Sequence, residues 1–283
     1  MSRPGVILLK FINRFFSPPE HPFNLETGGS ISYAEWQYRW GERTLDCYRG
    51  YADPAAIIRN HRVLDVGCGA GGKTCYYAEL GAAHVWGVDI SPDNLERAET
   101  FVSEKNLTDH CTFVRADAAD MPFSDEEFDV IIMNDTFEHL QRPGLTLEEC
   151  RRVLRPGGRL YVNFPPYYHP YGAHLTDVIG IPWVHLFFST RVLVEAYREL
   201  ASGKPDAKRR LRLRLGDDAR ETDLVYINRM TIRKFHSILA DAPFELLHYD
   251  EDPLRPFLWP LARTPILKEC FVRMVTAVLA RDT

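Results

Sequence analysis

A doubly wound α/β fold on a mostly parallel sheet is what this sequence predicts, and three observations carry the prediction. Val63 to Thr74 (Val-Leu-Asp-Val-Gly-Cys-Gly-Ala-Gly-Gly-Lys-Thr) is an apolar strand that runs straight into a glycine-dense turn. Further short apolar runs, His84 to Ile90, Thr112 to Ala116 and Phe128 to Asn134, end at or beside Asp89, Asp117 and Asn134. Helix-length stretches separate these runs. Strands alternating with helices imply a parallel sheet whose ligands gather at the carboxyl ends of the strands.

The first element in the chain is Val6 to Phe16, apolar but punctuated by Lys10 and Arg14. It is too short and too charged to cross a membrane, and no small-residue cleavage site follows it. It is expected to be a terminal helix packed on the domain, with a basic amphipathic helix on a membrane surface as the second reading. Ser30 to Tyr51 carries Tyr33, Trp36, Tyr38, Trp40 and Tyr48. An aromatic lid over a ligand and ordinary helix packing explain it equally well.

The strand from Val63 sets the chemistry. Gly67, Gly69 and Gly71 remove each Cβ where the backbone must turn sharply and let a ligand approach the main chain. Gly67, Gly69 and Gly72 satisfy a dinucleotide-type G-x-G-x-x-G, and Gly67-x4-Gly72-Lys73-Thr74 formally completes a phosphate-binding loop. Asp65 argues against both, since a phosphate on this turn would face a like charge. S-adenosylmethionine presents an ammonium and a sulfonium instead, and a carboxylate suits it. Asp89, roughly 20 residues beyond the turn, is placed to accept hydrogen bonds from the ribose hydroxyls. Asp117 is placed for the adenine amino group.

Asp65-Val-Gly-Cys-Gly-Ala-Gly, Gly87-Val-Asp89-Ile-Ser, Ala116-Asp117-Ala118 ahead of Met121-Pro-Phe123, Phe137-Glu-His-Leu140 and Leu154-Arg-Pro-Gly-Gly158 together resemble the successive signatures of class I S-adenosylmethionine-dependent methyltransferases of the small-molecule, type 11-like kind. The resemblance covers about Arg62 to Phe164. It implies a Rossmann-like seven-stranded sheet whose last strand is antiparallel, with a fifth strand at Leu160 to Phe164, a helix over Thr231 to Asp241, a sixth strand at Phe244 to Asp250 and a seventh at Val275 to Arg281. It also implies a cofactor site of Asp65, Gly67, Gly69, Gly71, Asp89, Ile90, Asp117, Ala118 and Asn134. The expected division is an N-terminal helical lid (1–60), the cofactor core (61–164), an inserted substrate cap (165–224) and the C-terminal part of the core (225–283).

The acceptor side is expected from Asn163-Phe-Pro-Pro-Tyr-Tyr-His-Pro-Tyr-Gly-Ala-His174, which leaves the fifth strand among prolines that fix the backbone. It is distinct from the Asn-Pro-Pro-Tyr motif of nitrogen methylases, which follows the fourth strand, where this chain has Asn134-Asp-Thr-Phe137. Ile181 to Glu199 offers apolar surface for a lipid-like acceptor. Lys208 to Leu215 alternates basic and apolar residues and is expected as an edge strand with a solvated basic face, the alternative being a site for an anionic head group. A hydroxyl acceptor needs a general base, and His174, His169, His139 and Glu138 are the candidates. Each has a plain alternative as a capping or loop-bonding group.

Composition sets the outer bounds. A chain of 283 residues, 45% hydrophobic with a net charge of -5, can bury a full core and is not built as a generic nucleic-acid binder. The six cysteines contain no C-x-x-C, so neither a metal site nor a disulfide framework is expected, and the cytoplasm is the simplest compartment. The readings left open are methyl transfer to oxygen, carbon or nitrogen of a metabolite or lipid, another reaction on the same sheet, and a non-catalytic binding partner.

Overall fold

The structure is a computed structural model that describes residues 3–216, 218 and 222–282. Its contacts group the chain into two compact units. One comprises Ile31–Phe164, Arg233–Asp252 and Met274–Thr283; the other comprises Met1–Ser30, Pro165–Ile232 and Pro253–Arg273. Residues 1–30 and 31–60, joined in the sequence reading, therefore fall in different units. Residues 253–273, read there as core, group with the insertion.

The first unit is built on a seven-stranded sheet of order β3-β2-β1-β4-β5-β7-β6, with β1 at Arg62–Val66, β2 at His84–Asp89, β3 at Cys111–Arg115, β4 at Phe128–Asn134, β5 at Leu154–Phe164, β6 at Glu245–Pro253 and β7 at Val272–Ala280. β1 pairs in parallel with both β2 and β4, aligning Asp65 with Gly87 on one side and Ile132 on the other. β7 runs antiparallel to β5. Strand order reverses between β1 and β4, which makes the carboxyl ends of these two strands the topological switch point where such sheets bind ligands.

Strand and helix boundaries follow from local chemistry. Val63, Leu64, Ile131, Ile132 and Val162 are all buried, as strands covered on both faces require. The helix Pro92–Glu104 starts where the Ser91 hydroxyl accepts from the Asn94 N–H at 3.3 Å and Pro92 occupies its first turn. β5 begins six residues earlier than the expected Leu160, at Leu154, because a register shift between Phe128 and Val130 carries the Arg-Pro-Gly-Gly stretch within the strand. The remaining expected strands lie within a few residues of their observed ends.

The second unit has its own apolar cluster, including Val6, Leu9, Val178, Ile179, Leu193, Val194 and Tyr197. The helix Arg3–Asn13 packs Val6 and Leu9 into it. Lys208 to Leu215 is not an edge strand: Ala207–Leu215 is a helix. Arg210 and Arg214, four residues apart, share its inner face, and both are buried. Arg210 reaches Asp206 at 2.6 Å and Asp177 at 3.0 Å, and the Arg214 guanidinium lies 4.1 Å from the centre of the Tyr226 ring. The alternation misled because it assumes that arginine faces water. Here paired carboxylates and an aromatic face let arginine form the interior.

Candidate active site

The glycine turn after β1 is held in a shape that side chains resist. Gly67, Gly69 and Gly71 have φ of 74°, 57° and 77°. A Cβ on Gly67 would lie 2.4 Å from Thr136 Cγ2, and one on Gly71 would lie 2.7 Å from Ala98 Cβ. Glycine is demanded here both by conformation and by space.

Asp89 ties the turn to the end of β2. Its carboxylate accepts from the Gly69 N–H at 2.9 Å, the Ser91 N–H at 2.8 Å and the Asn94 side-chain amide at 3.4 Å. The Ile90 N–H also bonds to it, so the carboxylate is held by its own strand end and by the turn. Asp89 therefore shapes the loop as well as being placed to bind. Ile90, next to it, is exposed and presents an apolar surface beside the strand end. Asp117 sits in the turn after β3, also exposed; it accepts from the Ala119 N–H at 2.9 Å and pairs with Arg142 at 2.8 Å. These two contacts hold its carboxyl below the usual range. Ala118 beside it is half-buried.

Asp65 is fully inside. Burial pushes its carboxyl up to about 6, against the opposing pull of the Thr74 hydroxyl, which donates to it at 2.7 Å, and of Lys73. Thr74 is thereby committed to Asp65, and Lys73 donates to Asp135 at 2.9 Å. The two residues that would grip a triphosphate and its metal are thus both engaged with carboxylates. The formal phosphate-loop spacing has no phosphate chemistry behind it. Two carboxylates beside an open-backbone turn fit a cationic ligand instead, and on that ground the residues fit S-adenosylmethionine.

Because the folded chain holds the Asp65 proton more tightly than the unfolded chain does, this group favours the fold below about pH 4 and loses that contribution as pH rises to about 6. A ligand cation nearby favours the ionised form. Affinity for S-adenosylmethionine is therefore expected to rise about tenfold between roughly pH 5 and pH 7 and then level off. Asp65→Asn, which can still accept from Thr74, should flatten that profile. Calorimetric titration across the pH range checks both, and an unchanged inflection in the variant would assign it to another group.

Asn134 closes β4 and is buried. Its side-chain oxygen accepts from the Tyr48 hydroxyl at 2.6 Å and the Asn163 amide at 2.8 Å, while its own amide donates to the Tyr77 hydroxyl at 3.1 Å. The Asn163 oxygen accepts from the Asp135 N–H at 2.9 Å. The network holds the non-glycine Asp135 at φ 54° and fixes the floor of the switch point. The Asn134 side chain, expected at the cofactor, is engaged at both its oxygen and its nitrogen within the protein.

Glu138 and His139 follow in the short 3-10 helix Phe137–His139. Glu138 is buried, and burial raises its carboxyl well above the usual range. His139 Nε2 lies 3.6 Å from Glu138 Oε1. His169 and His174 belong to the second unit. His169 is half-buried, accepts from the Tyr171 N–H at 3.2 Å, and is lowered to about 4 chiefly by desolvation, with His185 and Arg273 adding to it. Its Nδ1 is thus engaged within its own loop. His174 adopts φ 53° and meets the Tyr226 ring edge-on at 6.3 Å between centroids.

Gln37 escaped the sequence reading. From the helix Tyr33–Arg39 its side-chain oxygen accepts from the Ala70 N–H at 3.1 Å, and its amide donates to the Cys68 carbonyl at 3.3 Å, strapping the glycine turn. No local pattern marks a glutamine more than thirty residues upstream as a loop partner. Tyr48, noted only for aromatic density, is a core residue whose hydroxyl serves Asn134.

Residues 64–162 match the family described as "Methyltransferase domain". The chain is 32% identical over 147 residues to a chloroplastic tocopherol O-methyltransferase of Arabidopsis thaliana, covering 52% of this chain and 41% of that protein. It is 28% identical over 245 residues to a sterol 24-C-methyltransferase of Gibberella zeae, covering 83% of this chain and 55% of that protein. The matches thus span about half the length of these curated relatives. A solved S-adenosylmethionine-dependent methyltransferase of Mesorhizobium loti superposes with a TM-score of 0.53 at 17% identity, covering 88% of this chain and 98% of that one, a likeness of fold.

Sheet, glycine turn and family match together make residues 64–162 a class I S-adenosylmethionine-dependent methyltransferase domain. Its cofactor is S-adenosylmethionine.

Proposed function

We propose that this chain transfers a methyl group from S-adenosylmethionine to a small-molecule or lipid-like acceptor, with a hydroxyl oxygen as the attacking atom. The observation that carries the reading is the charge arrangement at the turn: Asp65 and Asp89 flank an open backbone while Lys73 and Thr74 are engaged elsewhere. When bound, the cofactor supplies a methyl group on a sulfonium. The chain's own task is placement, which can be worth roughly 7–11 kcal/mol at best. Gly67, Gly69 and Gly71 admit the ligand to the main chain, the Asp89 carboxylate takes a ribose hydroxyl, and Asp117 and Ile90 border the adenine side.

The acceptor proton falls to a histidine. Burial raises the Glu138 carboxyl well above its usual range, which favours a histidine over it as the acceptor. His174 is the proposed base and His139 the second candidate. The tocopherol methyltransferase likeness supports oxygen as the target. A second reading, attack by carbon, is favoured by the sterol methyltransferase match, which extends over 83% of this chain.

The test begins with calorimetry against S-adenosylmethionine, S-adenosylhomocysteine, NAD and ATP. It continues with transfer of labelled methyl to a panel of phenolic lipids and sterols, the product bond being read by NMR. Selective binding of the first pair with O-methylated product is expected. His174→Ala should then lower turnover at unchanged S-adenosylhomocysteine affinity. Selective binding of NAD or ATP would overturn the reading, and C-methylated product would replace oxygen by carbon.

A further inference from the structure

We infer that the outer face of the helix Arg3–Asn13 and the turn after it is a docking surface for an anionic lipid bilayer. The helix is apolar on two sides, and only one of them is used. Val6 and Leu9 enter the core of the second unit, and the Asn13 side chain clamps the same flank by donating to the Val178 carbonyl at 2.9 Å and accepting from the Gly180 N–H at 2.9 Å. A Cβ on Gly5 would sit only 3.1 Å from Val192 Cγ2, so the helix lies close against its neighbour. These contacts fix which side faces outward.

The outward side carries Ile7, Leu8, Phe11 and Phe15, exposed at 64%, 52%, 54% and 72%. At roughly 100° per residue, positions 7, 8, 11 and 15 fall within a sector about 100° wide. The turn continues past Asn13, with the Phe15 N–H donating to the Ile12 carbonyl at 3.0 Å, and the Phe11 and Phe15 rings meet edge-to-face at 5.5 Å. Isolated exposed apolar residues need no explanation, but a contiguous stripe of four large ones does.

Charge selects the occupant. On the same wheel Arg3, Lys10 and Arg14 fall together along one border of the stripe. Residues 3–19 contain no Asp or Glu, in a chain whose net charge is -5. Lys10 is paired with Glu199 at 2.6 Å, whereas among the described residues Arg3 and Arg14 make no ion pair. A wide apolar stripe bordered by cations is the pattern of a helix lying in a membrane interface, its rings among the acyl chains and its cations among anionic head groups. No helix of the described residues is long and apolar enough to cross a membrane, so this is contact with one leaflet.

The inference does not depend on methyl transfer. Its test is cosedimentation of the full chain with vesicles of equal parts phosphatidylcholine and phosphatidylglycerol, beside vesicles of phosphatidylcholine alone, at low and high salt. Binding to the anionic vesicles is expected, and salt should weaken it. The variant Ile7→Ser/Phe11→Ser/Phe15→Ser should lower the bound fraction about tenfold or more. Its melting temperature and S-adenosylhomocysteine affinity should stay unchanged, because these side chains lie outside the core. Arg3→Gln/Arg14→Gln should remove most of the preference for anionic over neutral vesicles. Absence of binding by the unaltered chain, or equal binding by the triple serine variant, would overturn the inference. So would a triple variant that converts a dimer to a monomer while leaving vesicle binding alone, which would assign the stripe to a second copy of the chain.

Discussion

Arg210→Ala is expected to cost the unit that contains it roughly 3–5 kcal/mol of stability, the range found when one partner of a buried ion pair is removed. The guanidinium is completely buried. It donates to Asp177 at 3.0 Å, to Asp206 at 2.6 Å and to the Thr27 hydroxyl at 3.3 Å. Asp177 is itself buried and receives one further bond, from the Tyr197 hydroxyl at 2.8 Å. Truncation would leave that carboxylate in the interior with a single donor. Arg210→Lys should recover little, because one ammonium cannot reproduce a planar fork aimed at two carboxylates. Arg210→Met combined with Asp177→Asn should recover most of the loss, since it removes the stranded charge along with its partner. Urea unfolding of the three variants checks the sequence of effects. A single alanine variant as stable as the unaltered chain would show that the pair contributes nothing net.

That cluster also marks where sequence reasoning stops. The sheet was legible because it is written in local signals: apolar runs, a glycine turn and acidic residues at strand ends, each of which has one cheap structural meaning. Asp89 and Gly69 lie on neighbouring elements whose pairing the alternation already implies, so their contact could be anticipated. Arg210 could not be placed the same way. Its burial depends on Asp177, thirty-three residues away, and an arginine without sight of its partner reads as a surface residue. Gln37 and the Tyr48–Asn134–Asn163 network failed to announce themselves for the same reason. A polar side chain inside a protein is defined by what meets it in space, and that meeting leaves no period in the chain. The phosphate-loop spacing is the converse case, in which Gly67, Gly72, Lys73 and Thr74 satisfy a pattern whose chemistry the partners Asp65 and Asp135 remove.

Replacing Asp89 with alanine should weaken S-adenosylhomocysteine binding by about a hundredfold or more, and the effect should have two separable parts. The direct part is the lost acceptor for a ribose hydroxyl; a hydrogen bond to a charged group is worth roughly 1.5–3 kcal/mol. The indirect part is the loop. Without the carboxylate, the Gly69 N–H at 2.9 Å and the Ser91 N–H at 2.8 Å lose their acceptor. Gly69, at φ 57°, then has less to hold it in the conformation that opens the main chain to a ligand. The variant should therefore also melt earlier, which a purely ligand-facing residue would not cause. Asp89→Asn separates the two parts. One amide oxygen can still serve one of the backbone donors, so most of the stability should return. The amide nitrogen, a donor in place of an acceptor, leaves the ribose contact impaired, and affinity should remain at least about tenfold down. Paired calorimetry and thermal unfolding distinguish the outcomes. If the alanine variant melted with the unaltered chain and bound the ligand as tightly, Asp89 would be neither the ribose acceptor nor the tie of the glycine turn, and the cofactor site would have to be rebuilt around Asp65 and Asp117.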